Sequence, residues 1–241
     1  MKVAMLSERP VVVILIGPPG SGKGTQSARL SAALTLPKIS TGDILRSYAS
    51  NEGPLSEKLS KILASGALVP DDILASIITE RLSCSDCENG FILDGYPRNL
   101  DQAIFLEKLL TKKGSKLIVI EIVVPESVLV KRVTGRFSCK SCGAIYNQYF
   151  AKPKLESMCD QCGGSEFYYR VDDKESVILE RLKSYSLQTL PLVDFYSDQD
   201  ALCKIDGNQN FEDVYKDILS CIYKKVAEVP RDDYIKDALS D

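Results

Sequence analysis

Several stretches of the chain are apolar almost without a break: Val11 to Ile16, Phe91 to Leu93, Leu117 to Val124 and Leu202 to Ile205. Runs this short, with no regular polar alternation, predict parallel strands buried on both faces. Leu36 to Ser40 predicts a fifth, shorter strand. Between the runs the apolar positions recur at helical spacing. Helices are predicted from Lys23 to Leu34, around Ile44, Leu45 and Tyr48, over 53–65, from Pro70 onward, over 125–134, from about Asp172 past Tyr185, and over 211–226. Thr41 and Asp172 or Asp173 are the expected helix caps, and Pro191 is expected to kink or restart its helix. Strands alternating with helices predict an α/β sandwich around a five-stranded parallel sheet.

The first strand runs directly into Gly17-Pro18-Pro19-Gly20-Ser21-Gly22-Lys23-Gly24-Thr25. Strand, glycine-rich turn and helix form the context of a phosphate-binding loop, where backbone amides and a helix N-terminus meet an anion. Lys23 adds a point charge. Gly24 stands where the usual Gly-x-x-x-x-Gly-Lys-Ser/Thr pattern has its hydroxyl, and Thr25 follows it. The competing explanation is a glycine turn between any strand and helix. Asp94 closes the strand Phe91 to Leu93, at the sheet edge where ligands bind, and a carboxylate there can hold the water shell of Mg2+.

Composition narrows the chemistry. The chain has 241 residues, is 44% hydrophobic and 26% charged, and carries a net charge of −3. That size suits one sizeable core with insertions. The acidic balance argues against a nucleic-acid surface as the main partner. No apolar run approaches the length of a membrane span, so no membrane partner is expected, and the cytosol is the expected compartment. Histidine is absent, which removes histidine acid–base catalysis and His-ligated metal sites.

Residues 137 to 169 break the alternation. Cys139-x-x-Cys142 and Cys159-x-x-Cys162 are separated by 16 residues, and each pair is followed by glycine. That spacing lies in the zinc-ribbon range and predicts a closed, structural Zn2+ site of four thiolates. Two disulfides are the competing arrangement, and a nucleic-acid-binding ribbon the competing role. Cys84 and Cys87 have no partner pair and are expected to be ordinary thiols; Cys203 and Cys221 are expected in the core.

Five motifs in order, from the glycine loop onward, resemble those of nucleoside monophosphate kinases, and of the adenylate kinases with a long zinc-bearing lid above all. The carriers are GPPGSGKGT, STGDILR, LDGYPR, RVTGR and RVDD with a later arginine, over residues 11 to about 226. The resemblance implies reversible phosphoryl transfer from Mg·ATP to AMP, giving two ADP, in adenine nucleotide homeostasis. It implies catalytic roles for Lys23, Arg46, Arg98, Arg136, Arg170, Arg181 and Asp94. ATP would be bound by Gly20, Ser21, Gly22, Lys23, Gly24, Thr25, Arg132, Arg136, Ile145, Tyr146 and Gln209. AMP would be bound by Thr41, Arg46, Ala67, Leu68, Val69, Gly95, Tyr96, Pro97, Arg98, Gln102, Arg170 and Arg181. Gln102 is the main reason to expect AMP over UMP or CMP, since pyrimidine monophosphate kinases resemble the region but carry asparagine there. The implied organisation is a core P-loop domain of 1–39, 70–134 and 173–241, an NMP-binding insertion of 40–69 and a lid of 135–172. A monomer is expected. A GTP-dependent AMP kinase of the same fold is the alternative, because the triphosphate base is read largely by backbone and stacking.

Overall fold

The computed structural model describes residues 9–51, 54–65 and 69–228. The chain begins with β1 (Val11–Ile16), α1 (Lys23–Leu34), β2 (Lys38–Ser40) and α2 (Thr41–Ala49), then α3 (Pro54–Ser65) and α4 (Asp71–Leu82). It continues through β3 (Gly90–Asp94), α5 (Leu100–Lys112), β4 (Lys116–Val123) and α6 (Glu126–Thr134). Three short strands follow, β5 (Arg136–Cys139), β6 (Ile145–Asn147) and β7 (Phe167–Tyr168). The chain then forms α7 (Glu175–Ser184), α8 (Pro191–Ser197), β8 (Leu202–Asp206) and α9 (Phe211–Ala227).

The five-stranded sheet has the order β2-β3-β1-β4-β8, and all its pairings are parallel. All six residues of β1 are buried, as its unbroken apolar run predicts. Successive strand side chains point to opposite faces, so β1 feeds two cores. Val11, Val13 and Leu15 pack with Leu30, Leu34, Ile218 and Ile222 on one side. Val12, Ile14 and Ile16 pack with Ile78, Leu106, Leu192 and Tyr196 on the other. From β1 the chain runs to β2 and back to β3 on one flank, then crosses to β4 and β8 on the other. This reversal opens a crevice beyond the carboxyl ends of the strands. The register Leu15↔Asp94 brings Asp94 beside the glycine loop that follows Ile16.

The remaining strands form a separate antiparallel sheet, β6-β5-β7. Its own small core joins Cys139, Ala144, Tyr146 and Cys159, with Phe137 and Phe167 against them.

Local details differ from the sequence reading in places. Ser40, not Thr41, caps α2: its side chain accepts the Asp43 N–H at 3.2 Å. Asp172 and Asp173 do not cap α7, which begins at Glu175 without a side-chain cap; both carboxylates are taken by arginines instead. Cys203 and Cys221 pack against the core as expected and are also joined by a disulfide, linking β8 to α9. Pro191 does restart the helix, at the first turn of α8, after a single π turn at Tyr185–Thr189. Glu121, inside the apolar run Leu117 to Val124, is buried and faces Lys204 across the β4–β8 register, 3.5 Å away.

Gly90 starts β3 at φ 115° directly against β1, and a Cβ there would fall 2.0 Å from the Val11 carbonyl oxygen. Gly90→Ala is therefore expected to lower the unfolding free energy by roughly 3 kcal/mol or more, from left-handed strain plus displacement of the central strand pair. Urea denaturation measures this; a loss below about 1 kcal/mol would contradict the close approach.

Candidate active site

The crevice at the strand ends is a cleft of about 1130 Å³, with the loop after β1 as its floor. The glycine loop closes onto α1 through Gly22, which sits at φ 102° and serves as the helix N-cap without a side chain. A left-handed cap suits glycine, and it leaves the first amides of α1 facing the cleft. Gly20, Ser21, Gly22, Lys23, Gly24 and Thr25 all line the cleft. The Lys23 ammonium donates to the carbonyls of Gly17 at 2.7 Å and Pro18 at 2.9 Å. Burial lowers its pKa to about 8, against the pull of Asp94 and with the push of Arg98, Arg181 and Arg136.

Asp94 is buried, accepting from the Ser27 hydroxyl at 3.3 Å. A Cβ on Gly24 would stand 3.3 Å from its Oδ2. Glycine at that position thus leaves space beside the carboxylate for a hydrated Mg2+, so the residues fit the ion that the sequence implies. The missing hydroxyl of the loop pattern is a property of the site rather than a defect in it.

Nine cationic side chains line the cleft: Lys23, Lys38, Arg46, Arg98, Lys131, Arg132, Arg136, Arg170 and Arg181. Only Asp43 and Asp94 among its lining residues carry negative charge. Arg98 donates from Nε to the Gly95 carbonyl at 2.8 Å, and its own carbonyl accepts the Thr189 hydroxyl at 2.7 Å. Burial and then Arg181 depress its pKa to about 10. Burial also lowers the pKa values of Arg132, Arg170 and Arg181, with Arg136 adding to the effect at Arg170. The Arg170 Nε is buried without a hydrogen-bond partner. A buried donor with no acceptor is costly, and here it sits among other cations. An anion entering the cleft relieves both penalties.

Three aspartates hold the remaining clamps. Arg136 donates to Asp173 through Nε at 2.8 Å and through Nη2, which keeps it charged despite burial. Arg181 donates to Asp172 at 2.8 Å, and Arg46 to Asp43 at 2.6 Å. The sequence reading missed these partners, as it missed Lys38. That ammonium lies 3.3 Å from the Gly24 carbonyl and 3.8 Å from Asp94. The acidic pair ahead of α7 was the available signal for Asp172 and Asp173; nothing marked Lys38.

On the far side of Arg98 a smaller cavity is lined by Thr41, Arg46, Val69, Arg98 and Arg181 with Leu45, Leu63 and Leu74. Thr41 is buried and its hydroxyl donates to the Gly95 carbonyl at 2.8 Å. Gly95 and Pro97 line the large cleft. The Tyr96 side chain is directed into the core, so only its backbone is available to a ligand. Gln102 lines neither cavity. It is buried and bonded to Asp71 and to the Arg98 N–H. Ala67 and Leu68 lie outside the described residues.

At the other end of the cleft stand Ile145 and Tyr146 from β6, and Gly207, Asn208 and Gln209 after β8. Arg132 is tied to the Gly207 carbonyl at 3.0 Å, and Gln209 donates to the Asp206 carbonyl and to Asp217.

The four cysteines of the small sheet converge. Their sulfurs all lie within 4.8 Å of one another, with Cys139–Cys162 at 3.6 Å and Cys142–Cys159 at 3.5 Å. Sulfurs bound to one tetrahedral zinc at ~2.3 Å stand about 3.8 Å apart, so the set fits Zn2+ with little movement. Gly143 and Gly163 take the left-handed turns that follow each pair. The Tyr146 hydroxyl accepts the Asp160 N–H at 2.7 Å and lies 3.3 Å from Cys159 Sγ. Tyr146 therefore links the cysteine cluster to the cleft, a role the sequence did not disclose. Cys84 and Cys87 join no metal-sized cluster among the described residues. Burial pushes the Cys87 thiol up to about 11.

Two outcomes follow from this geometry. Lys23 is charged in folded and unfolded chains alike below about pH 8, and the folded chain releases the proton first between about 8 and 10.5. Its burial cost therefore fades as pH rises, but the positive charge it offers to an anion in the cleft is lost over the same range. Nucleotide affinity, titrated by calorimetry, is expected to fall as pH rises through about 8; constant affinity to pH 10 would remove Lys23 from the site. Metal analysis is expected to find one zinc per chain, and Cys159→Ser to lower thermal stability more than turnover at moderate temperature. A purified chain with no zinc would overturn the thiolate site.

Comparison with known sequences agrees with this layout. The family described as Adenylate kinase matches residues 15–201. The adenylate kinase of Archaeoglobus fulgidus is 45% identical over 213 residues, 88% of this chain and 98% of its own length. That of Rickettsia bellii is 45% identical over 204 residues, covering 85% and 95%. That of Thermodesulfovibrio yellowstonii is 42% identical over 214 residues, covering 88% and 99%. With the glycine loop, the converging arginines and the cysteine-bearing sheet all inside the matched span, the chain belongs to the adenylate kinase family.

Proposed function

We propose that this chain transfers the γ-phosphoryl group of Mg·ATP to AMP, reversibly, giving two ADP. The observation that carries the reading is the convergence of Lys23, Arg98, Arg136, Arg170 and Arg181 on one cleft, with the Arg170 Nε left without an acceptor. A cleft built this way suits several phosphates at once. ATP enters between the glycine loop and the small sheet, with its base between Arg132, Ile145, Tyr146 and the turn at Gly207 to Gln209. AMP enters on the other side of Arg98, its phosphate held by Arg46, Arg98, Arg170 and Arg181. Its base lies toward Thr41, Val69 and Gln102.

No side chain has to act as nucleophile, because an AMP phosphate oxygen attacks the γ-phosphorus directly. The protein positions the two groups and spreads positive charge over the transferred one. Lys23 and Arg136 follow the charge on the donor side, and Arg98, Arg170 and Arg181 on the acceptor side. When bound beside Asp94, Mg2+ neutralises the donor phosphates. Closing the small sheet over the cleft excludes water, which would otherwise compete with AMP. We read residues 40–69 as the NMP-binding insertion, 135–172 as the lid and the rest as the core. Zinc stiffens the second, which is too small to be stable on its own core.

The chain is read as a cytoplasmic monomer working on free nucleotides. Its net charge of −3 supports free nucleotides over nucleic acid. No helix among the described residues is long and apolar enough to cross a membrane.

The deciding assay is ADP formation from each nucleoside triphosphate paired with AMP, CMP, UMP or GMP. ATP with AMP is expected to be fastest. A preference for GTP with AMP would keep the arginine roles and change the donor. No transfer with any pair would overturn the reading. Arg98→Ala is expected to lower kcat/KM about 100- to 1000-fold, the size of one lost transition-state donor, with folding intact. Near-normal activity in that variant would remove Arg98 from the clamp.

A further inference from the structure

The backbone stays helical from α7 through Tyr185–Thr189 and Leu190 into α8. At the junction the Leu190 N–H donates to the Tyr185 carbonyl at 2.9 Å, five residues back. Such a turn takes up one residue more than an α turn. Arg181, Ser184, Tyr185 and Thr189 all line the cleft. Spacings of three, four and seven mark one face of a helix. Thr189 is eight residues beyond Arg181, and the extra residue brings it to the seventh place, two turns on and in line with Arg181.

Thr189 is buried, and its hydroxyl does not bond as those of other helical threonines here do. Thr79, Thr111 and Thr134 each donate to the carbonyl four residues back in their own helix, at 2.7, 2.9 and 2.9 Å. That local bond is common for a threonine inside a helix. The Thr189 hydroxyl instead crosses to the Arg98 carbonyl, 91 residues away in sequence, at 2.7 Å.

This bond joins two bodies that each carry a cation. Arg98 belongs to the frame of β3: its N–H donates to Gln102 Oε1 at 2.7 Å and its Nε to the Gly95 carbonyl at 2.8 Å. Arg181 belongs to the helix. Its partner Asp172, 2.8 Å away, lies just ahead of α7, so that pair moves with the helix and does not tie it to β3. Arg98 and Arg181 both line the large cleft and the smaller cavity, and their like charges repel. Ile178, Leu182, Leu192 and Tyr196 hold the helical segment against the two cores. Apolar contact of that kind is non-directional. The Thr189 hydroxyl adds a directional tie.

We propose that Thr189 is a positioning residue for phosphoryl transfer, whose hydroxyl anchors the helix bearing Arg181 to the Arg98 carbonyl and so sets the two guanidinium groups relative to each other. The proposal rests on the reading of Arg98 and Arg181 as phosphate clamps. Thr189 acts through Arg181.

The test measures single-turnover transfer from Mg·ATP to AMP, which separates the transfer step from product release. It compares the parent chain with Thr189→Val, Thr189→Ser, Arg181→Ala and the double variant Thr189→Val with Arg181→Ala. Valine keeps the shape but sets a methyl against the carbonyl. A carbon stands about 3.3–3.6 Å from such an oxygen, so the turn must back away by about 0.6 Å or more from its 2.7 Å contact. A 1 Å misplacement can cost about 100-fold. The Thr189→Val rate is accordingly expected to fall about tenfold, and Thr189→Ser, which keeps the hydroxyl, to stay within about twofold of the parent. In the Arg181→Ala background the valine should cost less than about twofold more, because the group it misplaces is already gone. Thr189→Ala removes the hydroxyl without the clash and carries the same comparison if the valine variant does not fold.

Parent-like transfer in Thr189→Val and Thr189→Ala would overturn the anchor and leave the clamps standing. So would an equal loss in Thr189→Ser, since the hydroxyl would then not matter. A full further loss in the double variant would show that Thr189 acts independently of Arg181, a structural role only, and would also overturn the proposal. If Arg181→Ala itself transfers at the parent rate, the clamp reading of Arg181 falls and the proposal falls with it.

Discussion

Like charges held close together in a half-dry cleft are the constraint around which this molecule is arranged. Its cleft brings together nine lysines and arginines, although the chain as a whole is acidic. Each buried cation costs free energy that its neighbours increase, and the lowered pKa values of Lys23 and Arg98 record that cost. Asp172, Asp173 and Asp43 offset part of it, each by pairing with one arginine. The Arg170 Nε is left uncompensated. Such a site is poised for phosphates, because they supply the missing negative charge and acceptors together. Rate enhancement then comes from groups already in place, with little reorganisation at the moment of transfer.

Holding cations together requires a scaffold that does not yield, and the central strand provides it. Both faces of β1 are buried, so the strand cannot shift without disturbing two cores. The glycine loop leaves this strand at one end, and Asp94 stands beside it in register on β3. Arg98 follows four residues later, bonded back to the Gly95 carbonyl. Phosphate loop, carboxylate and first arginine are thereby fixed by one pair of hydrogen-bonded strands. Arg136, by contrast, comes from the small sheet, and Arg170 and Arg181 from beyond it. Their positions depend on ion pairs and on how that sheet is oriented. The loop, Asp94 and Arg98 thus share one rigid frame, while Arg136, Arg170 and Arg181 are brought to the same cleft from outside it.

The small sheet gathers four thiols where hydrophobic area is scarce. Its core contains two cysteines, an alanine and a tyrosine, with Phe137 and Phe167 packed around them. Four sulfurs at metal-binding distances replace the apolar layer that a larger domain would use. Tyr146 reaches from this cluster to the cleft wall, so one side chain joins the cysteines to the cleft.

The central sheet was legible in the chain because a nearly unbroken apolar run has few other uses: four of the five strands lie where the runs do, and the fifth, β2, lies within residues 36–40. The glycine loop, Asp94 and the paired Cys-x-x-Cys spacings were legible for a related reason, since each depends on neighbours in sequence. What a distant partner decides was not. Asp172 and Asp173 read as helix caps, because a carboxylate before a helix is favourable locally; the fold instead turns them toward Arg181 and Arg136. Thr41 read as a cap, but Ser40 took that role, and the Thr41 hydroxyl reached across to Gly95. Gln102 was expected at the AMP base, whereas the fold buries its amide against Asp71, 31 residues earlier, and the Arg98 N–H. The sequence alone determined which strands form and which residue types carry charge and sulfur, because those follow from local periodicity and spacing. Only the tertiary structure decided which acid meets which base and which way each amide faces, because those pairings join elements that the chain keeps far apart.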